Sequence, residues 1–479
     1  MTPSKSTRRP FGGAPSSNKS GKSKNRNARS QSKGAKASKE TAGRNARYHA
    51  TRSSPTYTQE APAGRREAIL AAFDKLWEAL FTGPVHLDSA LSKQKPYHKS
   101  ALAQMIQGIL LRPVSLAESM GVGVGPGEPW ALSHTENLAR WRPAALLAAR
   151  LYDAMSGKIS APSPVKDDFP PAMIAEWERA FGAETAAYLV EALATEPPLG
   201  IRAARKTGAE TLLQELTQGS RLPVRARVSD LSPLGVRLDG YARVMDSALF
   251  ESGGFEIQDE GSQIMALFAL WPEVYGKLLT EKPGEARAPG GVMPVPANTP
   301  VTTVVDACAG AGGKTLAFAD LLGNKGRVFA YDTSERKLQA LRRRAKRAGY
   351  NTIQTVALPD DDSADAKVAE FKKPADLVLV DAPCSGWGVL RRNPDIKWRQ
   401  SDETLRRMPE IQLRLLTRYS RLVRKGGRLV FGVCTFRPEE TRDVVEKFIK
   451  ANPEFRALEG GYLGPGPTDG FFMQRFVRN

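Results

Sequence analysis

Cysteine and histidine are scarce in this 479-residue chain, which has three of the first and four of the second. The cysteines all lie beyond residue 300, whereas His49, His86, His98 and His134 all precede it. An odd number of thiols without partners elsewhere argues against a disulfide framework. The lack of any CxxC pair, or of a histidine near a cysteine, argues against a zinc site, and no metal is expected. Chemistry in the cysteine-bearing region must therefore run without histidine. No apolar run approaches the roughly 20 residues that cross a bilayer, and nothing resembles a secretory signal peptide. A reduced, cytoplasmic setting without a membrane partner is expected. Acidic residues are also in short supply, 51 against 70 lysines and arginines, for a formal charge of +19. Residues 1–60 hold 14 basic and 2 acidic side chains, a net +12 that leaves +7 for the other 419 residues. This tail is rich in Ser, Gly and Asn and almost free of large aliphatic groups. It is expected to be disordered and to favour polyanions such as RNA.

What the chain does contain falls into three further regions. Over residues 61–196, segments such as REAILAAFDKLWEALF, YHKSALAQMIQGILL and PAMIAEWERAFG space apolar residues three and four apart, which predicts an all-helical domain. Over 197–251, the pieces LGIRAAR, VRARVSD and GVRLDG surround one helix, TGAETLLQELTQG, and predict a small α+β RNA-binding module. Within 252–479, strands and helices alternate from Val301 onward: VTTVVDA, RVFAYD, TIQTVAL, DLVLVDA and RLVFGVC, each followed by a connecting segment. That alternation predicts a doubly wound, Rossmann-like α/β domain. Gly323, Gly349 and Gly426 are placed as helix C-caps.

Cys384 and Cys434 each stand just after an apolar run that ends in small or polar residues. Such runs predict buried parallel strands, and ligands of open α/β sheets gather at the carboxyl ends of those strands. Two thiols are thus expected in one cleft, whereas Cys308 is read as packing in its loop. The first strand leads into DACAGAGGKT, Asp306 to Thr315, a glycine-rich turn able to pass close to a ligand at a helix N-terminus. A phosphate-cradling GxxxxGK[ST] loop would need glycine where Cys308 stands, and would leave Cys384 and Cys434 without a role. S-adenosylmethionine is the better fit. Its amino-acid end needs close backbone approach, and its ribose needs a carboxylate at the end of the second strand, the place of Asp332.

Taken in chain order, FEIQDEGSQ, DACAGAGGKT, AYDTSERKL, VDAPCSGWGVLRRNPDIKW, GVCTFRPEE and DGFFMQRF resemble the RsmB/Sun-type RNA cytosine-5 methyltransferases. The resemblance covers about Pro197 to Asn479, and the region before it only faintly resembles a NusB-like domain. It implies S-adenosylmethionine as cofactor, held by Ala307, Cys308, Ala309, Gly310, Ala311, Gly312, Gly313 and Lys314 together with Asp332, Arg336 and Asp381, and the acidic run of TVALPDDDS after the third strand is expected to place Asp360, or else Asp361, near the adenine. It further implies that Cys434 adds to carbon 6 of cytosine so that carbon 5 becomes nucleophilic, and that Cys384 releases the product. Asp381 would hydrogen-bond the cytosine edge, with Lys314 near that carboxylate and thiol. Arg391, Arg392 and Lys397 are expected to grip RNA phosphates, with Trp387 or Trp398 stacking on bases. Two departures stand out: Val433-Cys434-Thr435 replaces the family's TCS, and Gly310-Ala311 replaces its Ala-Pro. The expected activity is methylation of RNA cytosine at carbon 5 by a monomer, with small-subunit ribosomal RNA the leading substrate and transfer RNA behind it. A non-catalytic RNA-binding assembly factor is the alternative.

Overall fold

The computed structural model describes residues 63–82, 91, 94, 96–111, 113–115, 148–149, 151, 165–218, 225–239, 244–285, 292–359, 361–371, 373–466 and 468–479. The basic tail and Asp360 lie outside the described residues. Helices α1 (Ala63–Thr82) and α2 (Pro96–Leu111) are the first elements. Their three-and-four spacing puts Phe73, Trp77 and Leu80 of α1 in one apolar cluster with Leu102, Met105 and Ile109 of α2. The next pair, α3 (Pro171–Phe181) and α4 (Ala183–Leu193), opens with proline in its first turn, where the missing N–H costs nothing. Its Ile174, Trp177, Leu189 and Leu193 share a core with the large sheet described below.

A small antiparallel sheet follows, in the order β2-β3-β1-β4. It comprises β1 (Leu199–Ala203), β2 (Arg225–Val228), β3 (Gly235–Asp239) and β4 (Phe255–Ile257), with α5 (Ala209–Gln218) inserted after β1. The strand β4 is the start of FEIQDEGSQ. The chain then turns at Asp259, whose carboxylate caps α6 (Glu260–Leu270) by accepting from Gly261 N. Nearly every residue of α6 is buried, because it lies against one face of the large sheet.

That sheet has seven strands in the order β10-β11-β9-β8-β5-β6-β7. They are β5 (Thr303–Asp306), β6 (Arg327–Asp332), β7 (Ile353–Ala357), β8 (Ala375–Asp381), β9 (Val423–Val433), β10 (Phe455–Leu463) and β11 (Phe471–Arg478). The strands β5 to β9 pair in parallel, and β11 and β10 close the edge antiparallel. Crossovers run through α7 (Gly313–Leu321), α8 (Glu335–Ala348), α9 (Ser363–Ala369), α10 (Asp402–Ser420) and α11 (Arg442–Ala451). Side chains alternate between two cores. Val305, Val378, Val380 and Phe431 face the one that includes Trp177, whereas Val304, Leu377, Leu379 and Val430 face α6 and α7. Burial on both faces explains why these strands read as continuous apolar runs. The architecture is a Rossmann-like α/β fold, as the alternation predicted.

One cap differs from the expectation. Gly349 ends α8 with a left-handed φ of 76°, but Gly426 (φ 68°) lies inside β9. The preceding helix stops at Ser420, and the β8–β9 pairing shifts register between Ala375 and Leu377. The residues RKGG thus form an irregularity in a strand, which a polar, glycine-rich stretch disguises as a helix end. Among the described residues, no helix is long and apolar enough to cross a membrane.

Candidate functional site

The order in which strands are laid down reverses at β5: β6 and β7 extend to one side of it, β8 and β9 to the other. Such a switch point leaves a crevice at the carboxyl ends of the strands, and there the glycine loop, Asp332, Asp381, Cys384 and Cys434 converge. The loop owes its path to glycine. Gly312 has φ 88°, and a Cβ on it would lie 2.1 Å from Leu341 Cδ1, so any other residue would both strain the backbone and displace the Leu341 side chain. Gly310, with φ 55°, donates its N–H to Asp332 Oδ2 at 2.8 Å, and Ser334 N donates to Asp332 Oδ1 at 2.7 Å. Each oxygen of a carboxylate can accept twice. The half-buried Asp332 therefore retains capacity for a ligand's hydroxyls.

Asp306, at the end of β5, is a site residue that the sequence motif contained without singling out. Its Oδ2 accepts from the Thr315 hydroxyl at 2.6 Å, while Oδ1 is buried without a partner. Burial pushes this carboxyl up to about 7, against the Thr315 hydrogen bond and with help from the charge of Asp381. A folded-state value raised above the ordinary 3.8 gives stability that is present below about pH 4 and lost as pH rises through about 7. Asp306→Asn, which cannot ionise, is therefore expected to gain in melting temperature relative to the native protein on going from pH 5 to pH 8. A difference in melting temperature that stays constant with pH would show that Asp306 titrates normally.

Lys314, on the first turn of α7, reaches across to β8 and donates to Asp381 Oδ2 at 2.6 Å. Burial lowers the affinity of this ammonium for its proton, but Asp381 first and Asp306 after it outweigh that, and the pKa lies above the ordinary lysine value. The same ammonium feels Cys434 electrostatically and sits 5.9 Å from the centre of the Phe471 ring. The two thiols are in contact, with Cys384 Sγ 3.2 Å from Cys434 Sγ. The hydrogen bond to Cys434, then burial, raises the Cys384 pKa well above the ordinary thiol range, so Cys384 holds its proton. Cys308 lies in the loop as a neutral thiol, because burial and the charges of Asp381, Asp306 and Asp332 all push its pKa up. Ala307 and Ala309 are buried, Ala311 is exposed, and Gly313 begins α7.

Backbone contacts fix the cysteine loops to one another. Gly388 N donates to Cys434 O at 2.9 Å, and Gly470 N donates to Gly388 O at 2.8 Å. A Cβ on Gly388 would lie 2.1 Å from Gly470 O and 3.0 Å from Cys434 O. Gly388→Ala is expected to destabilise the fold by about 1–3 kcal/mol, as overpacking does, measurable as a lower urea midpoint. Retention of native stability would show that the two loops can part.

The residues expected to grip RNA are placed elsewhere. Arg391 is buried and donates to Asp469 Oδ1 at 2.9 Å and Gly466 O at 2.9 Å. Arg392 pairs with Asp469 and, at 2.8 Å, with Asp259 Oδ2. Lys397 donates to Leu111 O and Asp168 O, both at 2.9 Å. These cations tie FEIQDEGSQ, DGFFMQRF and α2 to the turn that follows Cys384, which corrects the expectation of phosphate contacts. Trp398 is buried with its N–H on Leu110 O, and Trp387 is buried with its N–H on Gln400, so neither presents a face for stacking. Arg336 is exposed on the first turn of α8.

A Rossmann-like sheet with β11 antiparallel at its far side, a glycine loop after the first parallel strand and an acidic residue ending the second together define the fold of a methyltransferase. Residues 295–465 match the family described as 16S rRNA methyltransferase RsmB/F. A probable ribosomal RNA small subunit methyltransferase B of Bacillus subtilis is 31% identical over 288 residues, 60% of this chain and 57% of the relative. The ribosomal RNA small subunit methyltransferase B of Sodalis glossinidius is 28% identical over 301 residues, 61% of this chain and 62% of the relative. The chain thus spans somewhat over half the length of the curated relatives it matches. The solved structure of PH0851 superposes with a TM-score of 0.61 at 21% identity, over 88% of this chain and all of that one. NSun6 from Pyrococcus horikoshii, solved with SFG, has a TM-score of 0.51 at 19% identity over 65% of this chain and 98% of its own.

Proposed function

We propose that this protein transfers a methyl group from S-adenosylmethionine to carbon 5 of a cytosine in RNA, with small-subunit ribosomal RNA as the substrate. The observation that carries this reading is the pair of free thiols at the ends of neighbouring parallel strands, 3.2 Å apart, beside the Lys314–Asp381 pair. A protein that only bound RNA would need neither sulfur. The cofactor suits the residues present. Gly310 and Gly312 let the backbone approach closely, Asp332 has spare acceptor capacity for ribose hydroxyls, and Asp306 Oδ1 is a buried acceptor without a partner. The matching relatives are named as ribosomal RNA methyltransferases. When bound, S-adenosylmethionine supplies an electrophilic methyl on a sulfonium.

The residues then divide the work. Cys434 Sγ, as thiolate, bonds to carbon 6, and the electron pair of the 5,6 double bond moves to carbon 5, the atom that accepts the methyl. Lys314 favours the anionic sulfur by its positive charge. Asp381 hydrogen-bonds the exocyclic edge of the ring and orients it. Once Cys434 is bonded to carbon, its hydrogen bond to Cys384, the first cause of that thiol's raised pKa, is gone. Cys384 then ionises more readily, gives its proton to solvent, and as a thiolate takes the carbon-5 proton. The freed pair restores the double bond as the bond from carbon 6 to Cys434 breaks. A target base must leave its helix or lie in single-stranded RNA to reach this crevice.

Cys434→Ala tests the reading. It is expected to bind S-adenosylmethionine with native affinity by calorimetry while transferring no label to unmodified ribosomal RNA. Transfer at the native rate would remove Cys434 from the mechanism.

A further inference from the structure

Glu440 is fully buried, yet neither the glycine loop nor the thiol pair uses it. It follows β9 in GVCTFRPEE, six residues after Cys434, and faces the loop of Cys384 instead. Glu440 Oε2 accepts from Ser385 N at 2.8 Å and from Gln412 Nε2 at 2.8 Å. Gln412, itself buried on α10, also donates to Pro383 O at 2.9 Å. The backbone is therefore held on both sides of Cys384, at residues 383 and 385, by one carboxylate and one amide. A further bond links the residues after the two cysteines, with Ser385 Oγ and Thr435 Oγ1 2.7 Å apart.

The competing role for Glu440 is charge balance for Arg437. Distances argue against it as the main one. Arg437 Nε lies 2.8 Å from Glu176 Oε1 on α3, and the Glu440 contact to Arg437 is longer, 3.2 Å. Arg437 already has its counter-ion, whereas no other described side chain accepts from Ser385 N. Both short bonds of Glu440 go to the network around Cys384. An unpartnered carboxylate at 0% exposure would be costly, so these donors are bound as strongly as the burial demands.

We infer that Glu440 is a positioning residue for product release: through Ser385 and Gln412 it fixes the Cys384 loop, so that this thiol stays within reach of carbon 5 after Cys434 has bonded to carbon 6. This rests on the proposed cytosine chemistry. Loosening the loop should leave attack by Cys434 nearly unchanged and slow only its release. Misplacing a reacting group by about 1 Å can cost up to about 100-fold.

The test compares native protein, Cys384→Ala, Glu440→Met and Gln412→Met, each incubated with unmodified small-subunit ribosomal RNA and labelled S-adenosylmethionine, then denatured at timed intervals. Protein–RNA adduct and free methylated RNA are quantified separately. Glu440→Met, of similar length but without an oxygen to accept from Ser385 N and Gln412 Nε2, should form adduct at the native rate and release it about 10- to 100-fold more slowly. Gln412→Met should do the same to a smaller extent, and it decides the matter if Glu440→Met does not fold. Cofactor affinity, which a general loss of structure would lower, should not move. Native release rates in the folded variant, beside a trapped adduct in Cys384→Ala, would overturn the role of Glu440. No adduct in Cys384→Ala would instead overturn the cytosine mechanism, and this inference with it.

Discussion

Replacing Cys384 by alanine is expected to leave RNA covalently attached to the protein after denaturation. The contact of the two sulfurs, 3.2 Å, sets the logic. Alanine removes the group that takes the carbon-5 proton but leaves Cys434, Lys314 and Asp381 in place. Attack and methyl acceptance proceed, while the bond from carbon 6 to Cys434 has no base to help it break. Positioned acid–base groups contribute about 10²- to 10⁴-fold, so multiple turnover should fall by at least about 100-fold while the adduct accumulates. Gel electrophoresis under denaturing conditions would show it as a retarded, label-bearing band. The Cys384→Ala/Cys434→Ala double variant should show none, and an adduct persisting there would name a different nucleophile.

Loss of Lys314 is the second large effect. Its ammonium lies 2.6 Å from Asp381 Oδ2 with only 12% of its side chain exposed, and it compensates for a crevice that also holds Asp306 and Asp332. Lys314→Met keeps much of the shape and removes the charge. Asp381 is left without its cation, and the attacking sulfur without a nearby positive group. Removing one such preorganised group costs about 10²- to 10³-fold in turnover, and that loss is expected in methyl transfer. Because the defect is electrostatic, adding Asp381→Asn to Lys314→Met should cost far less than the product of the two single losses. Multiplying losses in the double variant would show that the pair does not act as a unit.

The parallel strands were legible because burial on both faces leaves an uninterrupted apolar run, as in DLVLVD. The helices were legible where one face is apolar, as along α1 with Phe73 and Trp77. Cys384 and Cys434 could be brought to one crevice because each follows such a run, and parallel neighbours end at the same side. The partners of the basic turn were not legible. Arg391 and Arg392 bond Asp469 and Asp259, and Lys397 bonds carbonyls of residues 111 and 168. Those acceptors come from opposite ends of the chain, and no local pattern marks a basic residue as buried. Before the partners are known, a guanidinium near a catalytic turn looks the same whether it faces a phosphate or an aspartate. Glu440 escaped notice for a related reason: of the adjacent Glu439 and Glu440, burial selects one, and the sequence treats them alike. Gly426 misled because glycine after a basic stretch suits a helix end and a strand irregularity equally.

The central claim is the position of the methyl group. Native protein would be incubated with labelled S-adenosylmethionine and unmodified small-subunit ribosomal RNA, the RNA digested to nucleosides, and the label located by chromatography with mass spectrometry. All label in 5-methylcytidine is the expected result, since only addition at carbon 6 gives the paired thiols a purpose. Label in another nucleoside, or none transferred by a protein that binds the cofactor, would contradict the account.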